Sequence, residues 1–163
     1  MRRIWTVGHS TLSLPEFLDR VKDVDLLADV RRFPASRRFP HFSLSSLEQV
    51  KPYRWFPDLG GRRSGGGGRQ QALRNKAFRA YADHMETQVF REAFEGLGAL
   101  AEERRTAILC AEAVWFRCHR MLLSDALLAA GWEVLHLPGN KPHLLTKGAR
   151  LVDGRVRYDA ASA

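Results

Sequence analysis

The sequence predicts an α/β fold: a three-layer domain whose central sheet is mainly parallel, with about five strands and a short C-terminal β-hairpin. Three observations carry this. Short apolar runs alternate with stretches of helical period along the chain, and strands that alternate with helices assemble into parallel sheets covered on both faces. With 163 residues, 45% of them hydrophobic, the chain can bury roughly 70% of the surface its unfolded form exposes, so one core suffices. Near the end, Asp153-Gly154 stands between Leu151-Val152 and Arg155-Val156, the centre of a tight hairpin turn.

In order, Ile4 to Val7 reads as the first strand and Leu14 to Val21 as a helix. Leu26 to Val30 is the second strand and Tyr53 to Phe56 the third. Ala77 to Leu100 has a helical pattern with a break at Thr87 or Gly96, and places Tyr81, Met85 and Phe90 in the core. Ala107 to Cys110 is a buried fourth strand. Arg117 to Ala130 forms a helix with Met121, Leu122, Ala126 and Ala129 on one face. Gly131 stops it, and Glu133 to Leu137 is the fifth strand. Residues 1–163 are read as a single domain, with a β-ribbon at about 148–159 and a flexible glycine-rich loop at about 62–70. In that loop Ser64 to Gly68 is flanked by Arg62, Arg63 and Arg69, which makes it either a plain mobile connector or an arginine-bearing lid that closes on an anion.

Lys plus Arg number 26 against 18 Asp plus Glu, a formal charge of +8, so the surface field attracts anions such as phosphates or nucleic acid. Two cysteines cannot make the disulfide framework of a small secreted protein, and no signal segment precedes Ile4. The expected location is the cytoplasm. No apolar run approaches the roughly 18 residues of a membrane span.

The polar motifs share a position. Gly8-His9-Ser10 follows the first strand, Asp29-Val30-Arg31-Arg32 ends the second, Asp58-Leu59-Gly60-Gly61 follows the third, Cys110-Ala111-Glu112 ends the fourth, and His136 lies near the end of the fifth. In a parallel sheet these carboxyl ends lie on one edge, where open α/β folds bind ligands. One antiparallel strand would move its motif to the opposite edge.

Cys118, if it opens the helix, is either a thiolate stabilised by the helix N-terminus or a packed, inert thiol, and Cys110 is open in the same way. A Cys110–Cys118 disulfide is sterically conceivable and in a cytosol would be catalytic or redox-sensing. Cys110, Cys118 and His119 are potential zinc ligands, but neighbours on a helix point about 100° apart and no second Cys or His pair has finger-like spacing; no metal or cofactor is expected. The spacing from Cys110 to Arg117 does not match a phosphatase loop, and Glu112 would repel a phosphate. Glu112 is placed for proton transfer or for holding a substrate amine or hydroxyl, unless it pairs with Arg31, Arg117 or Arg120. Asp29 and Arg31 alternate about Val30, so both leave one face of the strand, and an internal salt bridge that orients the arginine is expected. His119 and Arg120 can present a general acid and an anion clamp. Arg31, Arg32, Arg37 and Arg38, interleaved with Phe33, Phe39, His41 and Phe42, are either a surface for a nucleotide or single strand, or a solvated loop with its aromatics turned inward.

The segments TVGHSTLSLPEFL, LLADVRRFPASRRFPHFS, LGGRR, FRAYADHM, ILCAEAVWFRCHRMLLSDAL and PHLLTKGAR together resemble the bacterial and archaeal family called domain of unknown function 488, over nearly the whole chain. The resemblance implies a compact, Rossmann-like α/β domain. It carries over His9, Ser10, Asp29, Arg31, Pro34, Ser36, Arg37, Gly60, Gly61, Cys110, Glu112, Cys118, His119 and Arg120 as motif positions, and implies no particular reaction. The chain departs from the family where a polar stretch ending Trp-Arg-Asn is replaced by the glycine run and Leu73-Arg74-Asn75.

Two function classes follow. One is an enzyme acting on a phosphate-bearing ligand, a nucleotide or nucleic acid. Here Cys110, Glu112, Cys118, His119 and His9 are the catalytic candidates, and Ser10, Asp29, Arg31, Ser36, Arg37, Gly60, Gly61 and Arg120 bind anion or substrate. The other is a basic nucleic-acid-binding module without catalysis. The expected partner is a phosphate-bearing small molecule or nucleic acid, with no membrane; the sequence leaves the oligomeric state open.

Overall fold

A computed structural model describes residues 2–66 and 68–159. Its main sheet contains β1 (Arg3–Gly8), β2 (Leu26–Asp29), β3 (Tyr53–Trp55), β4 (Thr106–Cys110), β5 (Glu133–His136) and β6 (Lys141–Pro142), in the order β3-β2-β4-β1-β5-β6. The first five are parallel, and β6 runs antiparallel to β5. The five predicted strands are therefore present with one shared direction. The added β6 is an edge strand containing Pro142, a position where a missing backbone N–H leaves no ladder bond unmade.

Alternation along the strands splits the core in two. Val7, Leu27, Ala107 and Leu109 pack against α1 (Leu14–Arg20) and α2 (Leu44–Val50), with Phe17, Val21, Phe42 and Leu47 filling the layer. Ile4, Ala28, Val30, Ile108, Cys110 and Val134 face α3 (Lys76–His84), α4 (Gln88–Glu103) and α5 (Arg120–Ala129), against Tyr81, Phe90, Leu97, Leu122 and Leu127. Tyr81, Met85 and Phe90 are buried, as the sequence predicts. Each large side chain buried here contributes about 1.5–3 kcal/mol. A two-stranded ribbon, β7 (Arg150–Val152) and β8 (Arg155–Arg157), follows, turning on Asp153 and Gly154, both at positive φ.

Local chemistry sets the helix ends. Ser13 caps α1 in a reciprocal box: its hydroxyl accepts the Glu16 N–H, and the Glu16 carboxylate accepts the Ser13 N–H. The predicted helical stretch 77–100 divides at Thr87, whose hydroxyl accepts the Phe90 N–H and so starts a new helix, while Gly96 lies inside α4. The last long helix begins at Arg120 and not at Arg117, because Trp115–Arg117 forms a 3-10 turn and Cys118 is extended. Helix α2 has no counterpart in the sequence reading. Leu47 is its only buried residue, too little to produce a readable period.

Gly65 and Gly66 both have positive φ. The Gly66 N–H donates to the Asp83 carboxylate and its carbonyl accepts from Arg79, so this part of the predicted glycine-rich loop is tied to α3. Gly67, in the same loop, lies outside the described residues. No helix of the described residues is long and apolar enough to cross a membrane.

Candidate functional site

Strand routing opens the site. β1 and β4 are neighbours, yet the chain leaves β1 for α1 on one face and leaves β4 for α5 on the other, so their exits diverge and leave a crevice at the carboxyl edge. The pairing of these two strands continues past their ends: His9 N–H donates to the Cys110 carbonyl at 3.0 Å and Ser10 N–H to the Ala111 carbonyl at 2.9 Å. That fixes His9 beside the β4 loop. Gly8 makes the approach possible, since a Cβ there would lie 1.7 Å from the Glu112 carbonyl oxygen.

A cavity of about 440 Å³ lies at this edge. It brings together His9 from the end of β1, Arg31 beyond β2, Gly61 beyond β3, Cys110 and Glu112 from β4, and Cys118 and His119 before α5. Four of the five strand-end motifs thus meet, with Ser36 also in the wall. His136, at the end of β5, does not line this cavity.

The two sulfurs lie 3.1 Å apart as free thiols. Cys118 precedes the helix, and its sulfur accepts the Arg120 N–H at 3.2 Å. Cys110, at the end of its strand, is 2% exposed. Arg120 is 1% exposed; one terminal nitrogen donates to the Glu112 and Ala113 carbonyls, while Nε and the other terminal nitrogen have no partner among the described residues. It lies behind the sulfurs and is not part of the cavity wall. The Glu112 side chain is exposed at the cavity and forms no ion pair with Arg31, Arg117 or Arg120.

Asp29 and Arg31 leave the same face and pair as the sequence predicts. The Asp29 carboxylate is fully buried and accepts the Arg31 N–H, the Arg31 guanidinium at 2.6 Å and the Tyr53 hydroxyl. Burial, and then the Asp29 charge, push the Tyr53 hydroxyl well above its ordinary pKa. The remaining nitrogen of Arg31 faces His9 Nε2 at 3.4 Å. His9 donates from Nδ1 to the Ser10 carbonyl and stacks on Phe42; burial lowers its pKa to about 4. His119 donates from Nε2 to the Val30 carbonyl, and burial likewise lowers it to about 4. Its Nδ1 makes no hydrogen bond among the described residues and faces Gly61, where a Cβ would sit 2.8 Å away. Both imidazoles are therefore neutral at pH 7, and His119 Nδ1 is an acceptor at the cavity.

Other predicted residues lie apart from this group. Arg37 is exposed, and Ser10, at positive φ, belongs to the β1–β4 zipper. Gly60 packs against the Arg32 backbone, where a Cβ would come within 2.7 Å. The arginine-aromatic stretch divides: Phe42 is fully buried, while Phe33 is 61% exposed beneath the Arg32 guanidinium. Another cavity, of about 550 Å³, lies between the ribbon, α3 and α4; it has Arg69, Arg91, Arg155 and Arg157 in its wall but no thiol or imidazole. Among the described residues no group of three or more His, Cys, Asp or Glu is placed to hold a metal ion.

The sequence reading missed a second buried polar cluster. Thr6 hydroxyl donates to His136 Nδ1, His136 Nε2 to His143 Nδ1, and His143 Nε2 to Asp125, which also accepts the Thr146 N–H and the Tyr158 hydroxyl. Trp115 stacks on His136 at 4.4 Å. The available signal was Ser124-Asp125 inside the apolar run of α5, a polar pair buried on a helix surrounded by leucines.

The family described as Domain of unknown function DUF488 matches residues 13–127, and the chain belongs to it. No curated protein and no solved structure matches the chain.

Proposed function

We propose that this member of the domain of unknown function 488 family is a cytoplasmic enzyme acting on a phosphate-bearing ligand, a nucleotide or nucleic acid, at the carboxyl edge of its sheet. The observation that carries the reading is a mismatch of charge. Arg32, Arg62 and Arg117 line the cavity and none has a carboxylate partner among the described residues, whereas Arg31 beside them is neutralised by Asp29. Guanidinium groups without a carboxylate counter-charge around a concave wall can bind phosphate oxygens bidentately.

Below those arginines lie the groups that do chemistry. Cys110 and Cys118 supply thiol and thiolate. Glu112 at the mouth takes or gives a proton, or holds a substrate hydroxyl or amine. His119 Nδ1 accepts a hydrogen bond from the ligand, and the Asp29–Arg31 pair holds His9 in one orientation. A cavity of about 440 Å³ is within the range that encloses a small organic ligand.

Thermal melting in rising concentrations of inorganic phosphate and of nucleoside monophosphates tests this. The midpoint is expected to climb with ligand and to do so less at high salt, and the Arg62→Gln, Arg117→Gln double variant is expected to lose the effect. If no phosphate-bearing compound shifts the midpoint or slows thiol alkylation, the reading is wrong.

Phe33 favours a second reading, a nucleic-acid module without catalysis. An exposed ring under a guanidinium is a platform on which a base can stack. It requires binding of a single-stranded oligonucleotide that weakens steeply with salt; no binding at low salt removes it.

A further inference from the structure

We propose that Cys110 and Cys118 form a two-electron redox couple that exchanges with low-molecular-weight disulfides, with Arg120 as the buried counter-charge to the thiolate. This rests on the cavity being the reactive site, as above, but not on its phosphate ligand.

Proximity is the first support. The sulfurs are 3.1 Å apart, and a disulfide bond of about 2.05 Å needs them to close by roughly 1 Å. Cys110 ends β4 and Cys118 precedes α5, joined only by residues 111–117, which are loop and one 3-10 turn. That movement leaves strand and helix in place.

The second support is Arg120. A guanidinium removed from water needs a negative partner, because an unpaired buried charge is strongly destabilising. Among the described residues Arg120 has no carboxylate partner and two of its nitrogens have no acceptor, and its charge acts on both sulfurs. A thiolate supplies the missing charge. Cys118 also accepts the first N–H of α5, a position that favours thiolate. The thiols titrate as one unit. The hydrogen bond between them, with Arg120 assisting against burial, lowers the Cys110 thiol and holds Cys118 well above the usual thiol value, so the proton the pair retains rests on Cys118.

Access assigns the order of events. Cys118 is half-buried at the cavity, and Cys110 is almost wholly covered. The shared proton passes from Cys118 to Cys110 across the 3.1 Å contact, and the Cys118 thiolate so formed attacks one sulfur of an external disulfide, forming a mixed disulfide and breaking the external S–S bond; one thiolate leaves and takes a proton from solvent. Cys110 then attacks the Cys118 sulfur. The Cys110–Cys118 bond forms, the mixed disulfide breaks, and the second leaving thiolate takes up the proton lost by Cys110. Two electrons pass from the two cysteines to the external disulfide, which leaves as two thiols; the reverse exchange reduces the protein.

The test uses the full chain and oxidised glutathione, followed by acid quenching, alkylation and intact mass measurement. Wild type is expected to become two hydrogens lighter and resistant to alkylation, with no lasting glutathione adduct. Cys110→Ser should trap one adduct, and Cys118→Ser should react at least about tenfold more slowly, as expected when the accessible thiolate is lost. A wild type that accumulates a stable adduct, or stays a dithiol in excess oxidised glutathione, overturns the proposal. For the counter-charge, Arg120→Met should move the pH profile of alkylation upward and Arg120→Lys should hold it; unchanged profiles in both variants remove that role. Each unit of rise in thiol pKa lowers the neutral-pH rate about tenfold. Phosphate-induced stabilisation, measured in Cys118→Ser, separates the two readings. Stabilisation without any wild-type disulfide sinks only the redox couple, whereas a disulfide without stabilisation sinks only the phosphate ligand.

Discussion

The sheet carries two buried clusters of ionisable side chains, and they differ in how completely they satisfy themselves. In the cluster around His136, His143 and Asp125 every imidazole nitrogen and both carboxylate oxygens have partners. In the cavity between β1, β2 and β4, His119 Nδ1, the Glu112 carboxylate, the Arg120 Nε and the wall guanidiniums of Arg62 and Arg117 are left without one among the described residues. A saturated network holds a fold together, because breaking one member strands the others in a low dielectric. An unsaturated one spends stability on groups that only a ligand can complete. The same residue types, histidine and carboxylate, thus serve structure in one place and point to chemistry in the other.

Four measurements break or sharpen that contrast. The largest effect is expected from Asp125→Ala, which removes the acceptor of three donors and should destabilise by about 3–5 kcal/mol in denaturant unfolding; a change below about 1 kcal/mol would mean the network is not structural. Next is acid. His9, His119 and His136 have pKa values lowered by burial to about 4, about 4 and about 3, so the unfolded chain binds protons that the folded one refuses. Stability should be flat above about pH 6.5 and fall as pH drops toward 5, each histidine adding up to about 1.4 kcal/mol per pH unit. His119→Gln and His136→Gln should each flatten that slope, and a slope unchanged in both variants would contradict the assignment.

Third, Gly8→Ala places a methyl against the Glu112 carbonyl. Because the loop can yield, the cost should be about 1–3 kcal/mol, and the thiol pair should separate, read as alkylation of both sulfurs at independent rates. The smallest effect on folding is expected from Glu112→Gln. An exposed, unpaired side chain should change stability by under about 0.5 kcal/mol, while any turnover of a substrate found for this cavity should fall at least about 100-fold if Glu112 transfers a proton. Unchanged turnover would leave Glu112 as a mere surface residue.

Much of this was legible in the chain itself. Apolar runs separated by helical period located the five parallel strands, and the position of His9, Arg31, Gly61 and Cys110 just past those runs located the cavity. The alternation about Val30 foretold the Asp29–Arg31 pair. What stayed hidden depended on distant contacts. His143 and Asp125 meet across 18 residues through the return of the chain after β5, which no local pattern encodes. Arg120 reads as a surface clamp next to His119, yet the late start of α5 turns it inward. That start depends on Cys118 remaining extended beside Cys110, a tertiary contact overriding a helical pattern.

The crevice at the β1–β4 seam arises from routing, since successive segments peel away to opposite sides of the sheet. An opening made by connectivity does not depend on the exposed residues of its wall. Exposed wall residues such as Ala35 and Arg117 can therefore change for new guests without endangering the scaffold, whereas Arg31 and Phe42, whose contacts are buried, cannot.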